Sequence, residues 1–271
     1  MRRLVLPKRL PLGLIPLMPG AKRILRRALR ATVQWVMALR SRPLPSPSGP
    51  ILVIAPHLDD CTLGCSGLLF QARLAGENVH IIYLTDGAAS YGDNPLITPD
   101  QLATTRKREA LEAKSRLYVD SACMYFMNLP DGRVPHRNDE KRDAAVTDLA
   151  RHIRQITPSV VLLPLRKDGS TEHEAGFSLV TAALAQCSLR PRVLEYPVWA
   201  NYRPVHLIRP ALFATRLYRF RFNGYGSHKR HALNAYVSQF QPTPAWRRPV
   251  MPEEFTGCFT REDEFFFEQE A

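Results

Sequence analysis

The chain has 271 residues, 45% hydrophobic and 23% charged, enough for one sizeable α/β domain that needs no disulfides to supplement its core. Its formal charge of +12 suggests nucleic acid only until it is mapped: residues 1–50 hold eleven Lys and Arg and no acidic residue, and the rest is nearly neutral. Five scattered cysteines (Cys61, Cys65, Cys123, Cys187, Cys258) fit reduced thiols, and no stretch approaches the roughly 18 apolar residues of a membrane span, so a cytoplasmic protein is expected.

Residues 1–48 read as a basic N-terminal arm with a linker, and residues 49–271 as one domain. Leu10–Met18 is apolar but broken by Pro11 and Pro16, with no small-residue cleavage site behind it, which disfavours a signal peptide. Ala21–Arg40 sets Ile24, Leu25, Ala28, Leu29, Val33, Val36 and Met37 at helical spacing among Lys22, Arg23, Arg26, Arg27 and Arg30. Such a helix suits an anionic membrane surface at the inner face of a bilayer, with Trp35 as interfacial anchor. Equally, it suits packing on the domain with a solvated basic face. Nucleic acid is disfavoured, because no stacking or groove-reading motif accompanies the charge. Pro43–Pro50 is a Pro/Ser linker.

From Ile51 onward strand and helix alternate. Ile51–Ala55, Val79–Thr85, Cys123–Leu129, Ser159–Leu165 and Val193–Trp199 read as strands. Leu63–Ala75, Thr98–Leu117, Asp139–Ile156 and the stretch ending at Cys187 read as helices. Thr98-Pro99-Asp100-Gln101 supplies a cap, an N1 proline and an N3 glutamine in order. Arg203–Phe222 suggests an antiparallel strand pair or a substrate-facing lobe, Ser227–Phe240 a helix, and Glu253–Glu270 an acidic, aromatic tail. Apolar strands separated by helices predict a three-layer, Rossmann-like α/β fold whose mostly parallel sheet is covered on both faces. Ligands of such sheets bind beyond the carboxyl ends of the strands, where the polar clusters after the first four strands converge.

Those clusters carry the chemistry. His57, Asp59 and Asp60 follow the first strand and His173 follows the fourth. A histidine and a carboxylate three positions apart on a turn reach one divalent cation from the same side. With Asp60 on the cation, Asp59 projects beside it, where a general base for water belongs. His57, Asp60 and His173 together make a two-histidine, one-carboxylate set suited to Zn2+ or to Fe2+; spacing does not separate these. Singly, each residue has an ordinary reading, as a hydrogen-bonded turn histidine or as aspartates at a helix start. Their joint occurrence at two strand ends weakens it.

Pro56-His57-Leu58-Asp59-Asp60 with Leu63-Gly64-Cys65-Ser66-Gly67 resembles the signature of the LmbE-like or PIG-L family of metal-dependent N-acetylglucosaminyl deacetylases. The likeness continues through Leu84-Thr85-Asp86-Gly87, Arg106-Lys107-Arg108-Glu109-Ala110, Leu129-Pro130-Asp131-Gly132, Asp168-Gly169, Glu172-His173-Glu174-Ala175 and Glu195-Tyr196-Pro197-Val198-Trp199. It ends with Lys229-Arg230-His231-Ala232-Leu233 and Tyr236-Val237-Ser238-Gln239, so it spans roughly residues 50–267. The resemblance implies that His57, Asp60 and His173 bind a divalent metal, usually zinc, and that Asp59 is the catalytic base. It further implies that Arg106, Arg108, Asp131, Asp86 and Ser170 line the substrate site, and that the substrate is an N-acetylhexosamine unit of a glycolipid, glycoconjugate or polysaccharide precursor.

Three positions depart from the family pattern. Leu58 replaces a proline, Cys61 stands where glutamate is common, and Ser170 stands where many members carry a second histidine that stabilises the oxyanion or leaving group. Arg166, Lys167, His136 or His228 are candidates to replace that charge. Two other function classes follow from these features: a catalytically weak sugar-binding relative, and a membrane- or nucleic-acid-binding protein acting through the basic arm.

Overall fold

The computed structural model describes residues 19–222, 224, 226–245 and 247–269. Leu10–Met18 and the first four basic residues of the arm lie outside the described residues. Helix α1 (Pro19–Arg40) is followed by the short strand β1 (Arg42–Pro43), then β2 (Ile51–Ala55), α2 (Asp60–Leu74) and β3 (Val79–Thr85). Next come α3 (Pro99–Ser115), β4 (Met124–Leu129), α4 (Arg142–Ile156), β5 (Val160–Pro164), α5 (Thr171–Cys187) and β6 (Arg192–Tyr196). The chain closes with α6 (Trp199–Tyr202), α7 (Val205–Phe213), β7 (Leu217–Arg221), α8 (Gly226–Leu233), α9 (Val237–Phe240), α10 (Glu253–Thr256) and β8 (Asp263–Glu268).

The strands form one sheet in the order β1-β7-β8-β6-β5-β2-β3-β4. From β6 to β4 all pairings are parallel, and β8 runs antiparallel to both β6 and β7. The chain leaves β2 toward β3 and β4 on one side and returns to β5 and β6 on the other. The switch point therefore falls between β2 and β5, the strands that precede His57 and His173.

The period of two along each strand divides the core. Ile51, Val53 and Ala55 join Val160 and Leu162 beneath α2, α3 and α8, whereas Leu52 and Ile54 join Val161 and Leu163 beneath α4 and α5. The predicted three-layer arrangement is the one observed. Thr98 caps α3 in a full capping box with Gln101, as its sequence indicates.

The C-terminal third differs from expectation. Arg203–Phe222 is half helical: Leu207 and Ala211 of α7 enter a third cluster with Val33 and Met37 of α1, and only Leu217–Arg221 forms a strand. Ser227–Phe240 is two helices separated by the turn at Asn234–Tyr236. The acidic tail contains β8, whose alternation places Glu264 and Phe266 on one face and Phe265 and Phe267 on the other. Part of the expected linker is also structured, with Pro43 paired to β7 and Leu44 buried.

Glu264 shows why an acidic strand lies inside. Helix α2 breaks at Cys65 (φ −142°), which leaves the amides of Gly67 and Leu68 to donate to the Glu264 carboxylate, each at 2.9 Å. Lys229 of α8 adds an ion pair at 2.7 Å, also buried. At Gly64, in the same break, a β-carbon would overlap the Tyr196 ring, so only glycine allows α2 to sit this close to β6.

Helix α1 lies on the domain with Arg26, Arg30 and Arg40 bonded to it, while Lys22, Arg23 and Arg27 remain exposed. Arg26 donates to Glu254 at 2.6 Å, Arg30 to the carbonyl of Asn201 at 2.8 Å, and Arg40 to the carbonyl of Ala211 at 2.6 Å. The helix ends of α6 and α7 thus supply acceptors that draw the guanidinium groups away from solvent. Among the described residues no helix is long and apolar enough to cross a membrane.

Glu264→Ala should leave Lys229 and two amides buried without a partner and cost about 3–5 kcal/mol of stability, read as a lower midpoint in chemical denaturation with unchanged slope.

Candidate metal centre

The turn between β2 and α2 is held from behind. Lys114 donates to the Thr62 hydroxyl, Thr62 to the Tyr236 hydroxyl at 2.8 Å, and Tyr236 to the carbonyl of Leu58 at 2.8 Å. Asp60 Oδ2 accepts the His57 backbone amide at 2.8 Å, which closes the turn and fixes both side chains. Asp59 precedes α2 but makes no side-chain capping bond, so the ordinary reading of a helix-start aspartate does not describe it.

His57 Nδ1 lies 3.2 Å and His173 Nε2 3.3 Å from the same Asp60 oxygen. The other nitrogen of each ring meets a carboxylate: His57 Nε2 lies 2.7 Å from Glu172, and His173 Nδ1 2.8 Å from Asp168. A carboxylate only accepts, so each of those nitrogens carries a proton; with a cation in place of their own protons, His57 Nδ1 and His173 Nε2 would turn lone pairs toward a common point with Asp60. His173 Nε2 is buried without a hydrogen-bond partner. These three residues form a group whose ligand atoms are close enough to share one ion. A second group, His57, Asp131 and Glu172, uses the opposite edge of His57.

Charge supports a cation at the first group. Asp59, Asp60, Asp131, Asp168 and Glu172 surround two imidazoles and one buried guanidinium, Arg106, which leaves a formal excess of negative charge. The protonation equilibria reflect this. Burial lowers the pKa of His173, but Asp60 and Asp168 outweigh it and push the group up to about 9. His57 is likewise raised by Asp60 and Glu172 against the effect of its own burial. Burial raises the Asp60 carboxyl, yet the adjacent imidazoles hold it well below the usual carboxylate range. Asp59 moves the other way: burial raises it, and Arg106, at 3.5 Å, offsets this only in part. Two adjacent aspartates are thereby driven apart, one fixed as an anion and one able to exchange a proton.

Of these groups His57, Asp59 and Asp60 line a cleft of about 200 Å³, with Leu63, Ser90, Trp199, Gln239 and Phe255 among its walls. Asp59 Oδ2 is buried there without a partner. Asp131 also lines the cleft, with Oδ2 accepting the Ala89 amide at 3.0 Å and Oδ1 3.5 Å from His57. Arg106 lines it too, but its Nη1 donates to the Gly87 carbonyl at 3.1 Å and its Nη2 faces Asp59, so it braces the site. Asp86 stands one layer back, accepting the amides of Ala88 and Asp131. Ser170 caps α5 by accepting the His173 amide at 3.4 Å. Arg108 lines a neighbouring cavity of about 760 Å³ with Tyr91, Glu109 and Pro244. Of the candidates to replace a second histidine, Arg166 is held in a fork on Glu195 and His228 stacks near Phe70.

Four residues with evident roles here were not singled out from sequence. Asp168 and Glu172 orient the histidines; both lie in the segment that carries His173, and an acidic residue beside a candidate ligand is the usual sign of an orienting partner. Gln239 and Phe255 reach the cleft from distant segments; Gln239 closes the last stretch of the family resemblance without a role assigned to it, and no local pattern marks Phe255. The Gln239 Oε1 atom is buried without a partner.

The sequence profile of the PIG-L family, described as GlcNAc-PI de-N-acetylase, matches residues 52–184. Diacetylchitobiose deacetylase of Thermococcus kodakarensis is 28% identical over 131 residues, which is 47% of this chain and 46% of that protein. The chain therefore aligns with about half the length of that relative. The fold is similar to that of N,N'-diacetylchitobiose deacetylase from Pyrococcus horikoshii, solved with an inhibitor (TM-score 0.61, 18% identity, 94% of this chain and 95% of that one). It is similar also to GalB, the 4-carboxy-2-hydroxymuconate hydratase of a Pseudomonas putida strain (TM-score 0.60, 14% identity, 82% and 95%), so the fold by itself supports more than one chemistry. The matched segment begins in β2, ends in α5 and contains both histidines and every carboxylate of the centre, so the similarity to the PIG-L family takes in all the candidate metal ligands.

Proposed function

We propose that this protein is a metal-dependent hydrolase that removes the acetyl group from an N-acetylhexosamine unit, of N-acetylglucosamine type, in a larger glycoconjugate. The observation that carries the reading is the convergence of His57 Nδ1, Asp60 Oδ2 and His173 Nε2 beside a buried carboxylate, Asp59, that caps nothing. The family match and the diacetylchitobiose deacetylase relative supply the reaction class. The likeness to a hydratase concerns the fold.

His57, Asp60 and His173 would hold the cation, Zn2+ or Fe2+, their nitrogen and carboxylate donors fitting either. When bound, it supplies Lewis acidity toward the acetamide carbonyl and toward water. The rest falls to the chain itself. Asp59 takes a proton from the attacking water as its oxygen bonds to the acetyl carbon, then delivers that proton to the sugar nitrogen as the C–N bond breaks. Products are acetate and the free amine. An upward-shifted pKa suits both halves of this transfer, and Arg106 keeps Asp59 aimed while limiting the shift. Asp131, at the cleft wall, and the Gln239 carbonyl oxygen are placed to accept sugar hydroxyls. The reading as a sugar-binding relative without activity is not favoured, because the ligand set and Asp59 are all in place.

Asp59→Asn should bind one zinc per chain like the wild type while acetate release from N-acetylglucosamine conjugates falls by at least about 100-fold; a variant of undiminished rate would remove Asp59 from the mechanism. Glu172→Gln frees His57 from its orienting carboxylate, so zinc affinity, measured by competition with a chelator, should weaken by about 10- to 100-fold with the fold intact by circular dichroism.

A further inference from the structure

Helix α1 turns its apolar side to water. Ala21, Ile24, Ala28, Ala31, Trp35 and Leu39 recur at spacings of three or four, opposite the buried Val33 and Met37. Ile24 is 69% exposed, Trp35 63% and Leu39 66%. Arg26 and Arg30 are drawn onto the domain while Arg23 and Arg27 stay 59% and 60% exposed, and no charged side chain interrupts this stripe over about 27 Å of helix. Helix α7 runs parallel beside it, since Arg30 reaches the end of α6 before α7 begins and Arg40 reaches the last turn of α7. It adds Val205, Leu212 and Phe213, the last 72% exposed. Seven of the eleven large apolar side chains that stand exposed among the described residues lie on these two helices, a concentration that singly scattered surface residues do not show.

Charge identifies the occupant. Neither α1 nor the segment 199–216 contains an acidic residue. Arg23, Arg26 and Arg27 share the single carboxylate of Glu254 at 3.4, 2.6 and 3.7 Å, which leaves two of their three charges uncompensated. Lys22, Arg42, Arg209 and Arg216 are exposed on the same elements and their flanks. A second copy of the chain placed on this face would bring like charges together across a two-fold axis. An anionic lipid surface would neutralise them and bury the stripe at once.

We propose that the outward face of α1, together with the exposed end of α7, docks this protein on an anionic phospholipid surface, with Ile24, Trp35 and Leu39 entering the boundary between headgroups and acyl chains. Docking in this way places the cleft close to the lipid. Glu254, which receives the three arginines, directly precedes Phe255, a cleft wall whose ring centroid lies 5.0 Å from that of Trp199.

The test is co-sedimentation of the full chain with vesicles of phosphatidylcholine alone and of phosphatidylcholine mixed with phosphatidylglycerol, at low and high salt. The wild type should partition at least about tenfold better onto the anionic vesicles, and the double variant Trp35→Glu/Leu39→Glu should lose at least about tenfold of that binding. Leu74→Glu, at an exposed apolar residue of α2, should change nothing. Both altered positions are exposed, so thermal melting and acetate release from a water-soluble conjugate should match the wild type.

Equal partitioning of wild type and double variant, or equal binding to neutral and anionic vesicles, would overturn the proposal. A dimer in vesicle-free buffer that the two substitutions dissociate would assign the face to a second copy and overturn it as well. Vesicle binding without acetate release from any conjugate would support the docking face while defeating the deacetylase reading, and acetate release without vesicle binding would do the reverse.

Discussion

The carboxylate of Asp168 is wholly buried and has no access to water, so everything around it must satisfy its charge. It accepts the amides of Val198, Trp199 and Ala200 at 2.7–3.2 Å and faces His173 Nδ1 at 2.8 Å. One side chain at the end of β5 therefore fixes three things: the ring of His173, the turn that follows β6, and the placement of Trp199 in the cleft wall. The site at the switch point draws on this, because the segments that follow β5 and β6 are tied to each other through one buried carboxylate.

A similar economy sets the two aspartates of the first turn apart. Asp60 is enclosed by two imidazoles and a backbone amide, so its negative charge is stabilised and its position fixed. Asp59, one residue earlier, points the other way into the cleft, where burial disfavours its charge and Arg106 offsets this only in part. Adjacent residues on a turn project to different sides, and that simple fact gives one dipeptide a fixed anion and a carboxyl whose charge is disfavoured. The chain of hydrogen bonds from Lys114 through Thr62 and Tyr236 to Leu58 keeps the turn from relaxing out of this arrangement.

Much of this was legible from sequence because it is local. Strand and helix periods around β2 to β6 are strong, the capping box of α3 is explicit, and the clustering of His57, Asp59, Asp60 and His173 at two strand ends names a ligand set by its chemistry. Elements whose role depends on distant partners were harder to read. The acidic composition of Asp263–Glu268 hides a period of two, because burial of Glu264 makes sense only once Lys229 and the broken turn of α2 stand opposite it. Arg106 and Arg108 look alike as exposed or substrate-facing cations on one helix, yet two positions of helical rotation send one into the cleft behind Asp59 and the other to a separate cavity. Ser170 reads as a lost catalytic group and is in place as the cap of α5.

What the sequence by itself determined is the parallel α/β layering and the donor chemistry of the first turn, since both follow from residue type and spacing within a few positions. Tertiary structure alone decided which way the charged faces turn. Helix α1 is basic and amphipathic in any reading, but that Arg26, Arg30 and Arg40 turn to the protein depends on free carbonyls at the ends of α6 and α7 and on Glu254, all more than 160 residues away. A hydrogen bond to an unsatisfied helix end outweighs hydration of a flexible cation there, and so the apolar face is the one left outside.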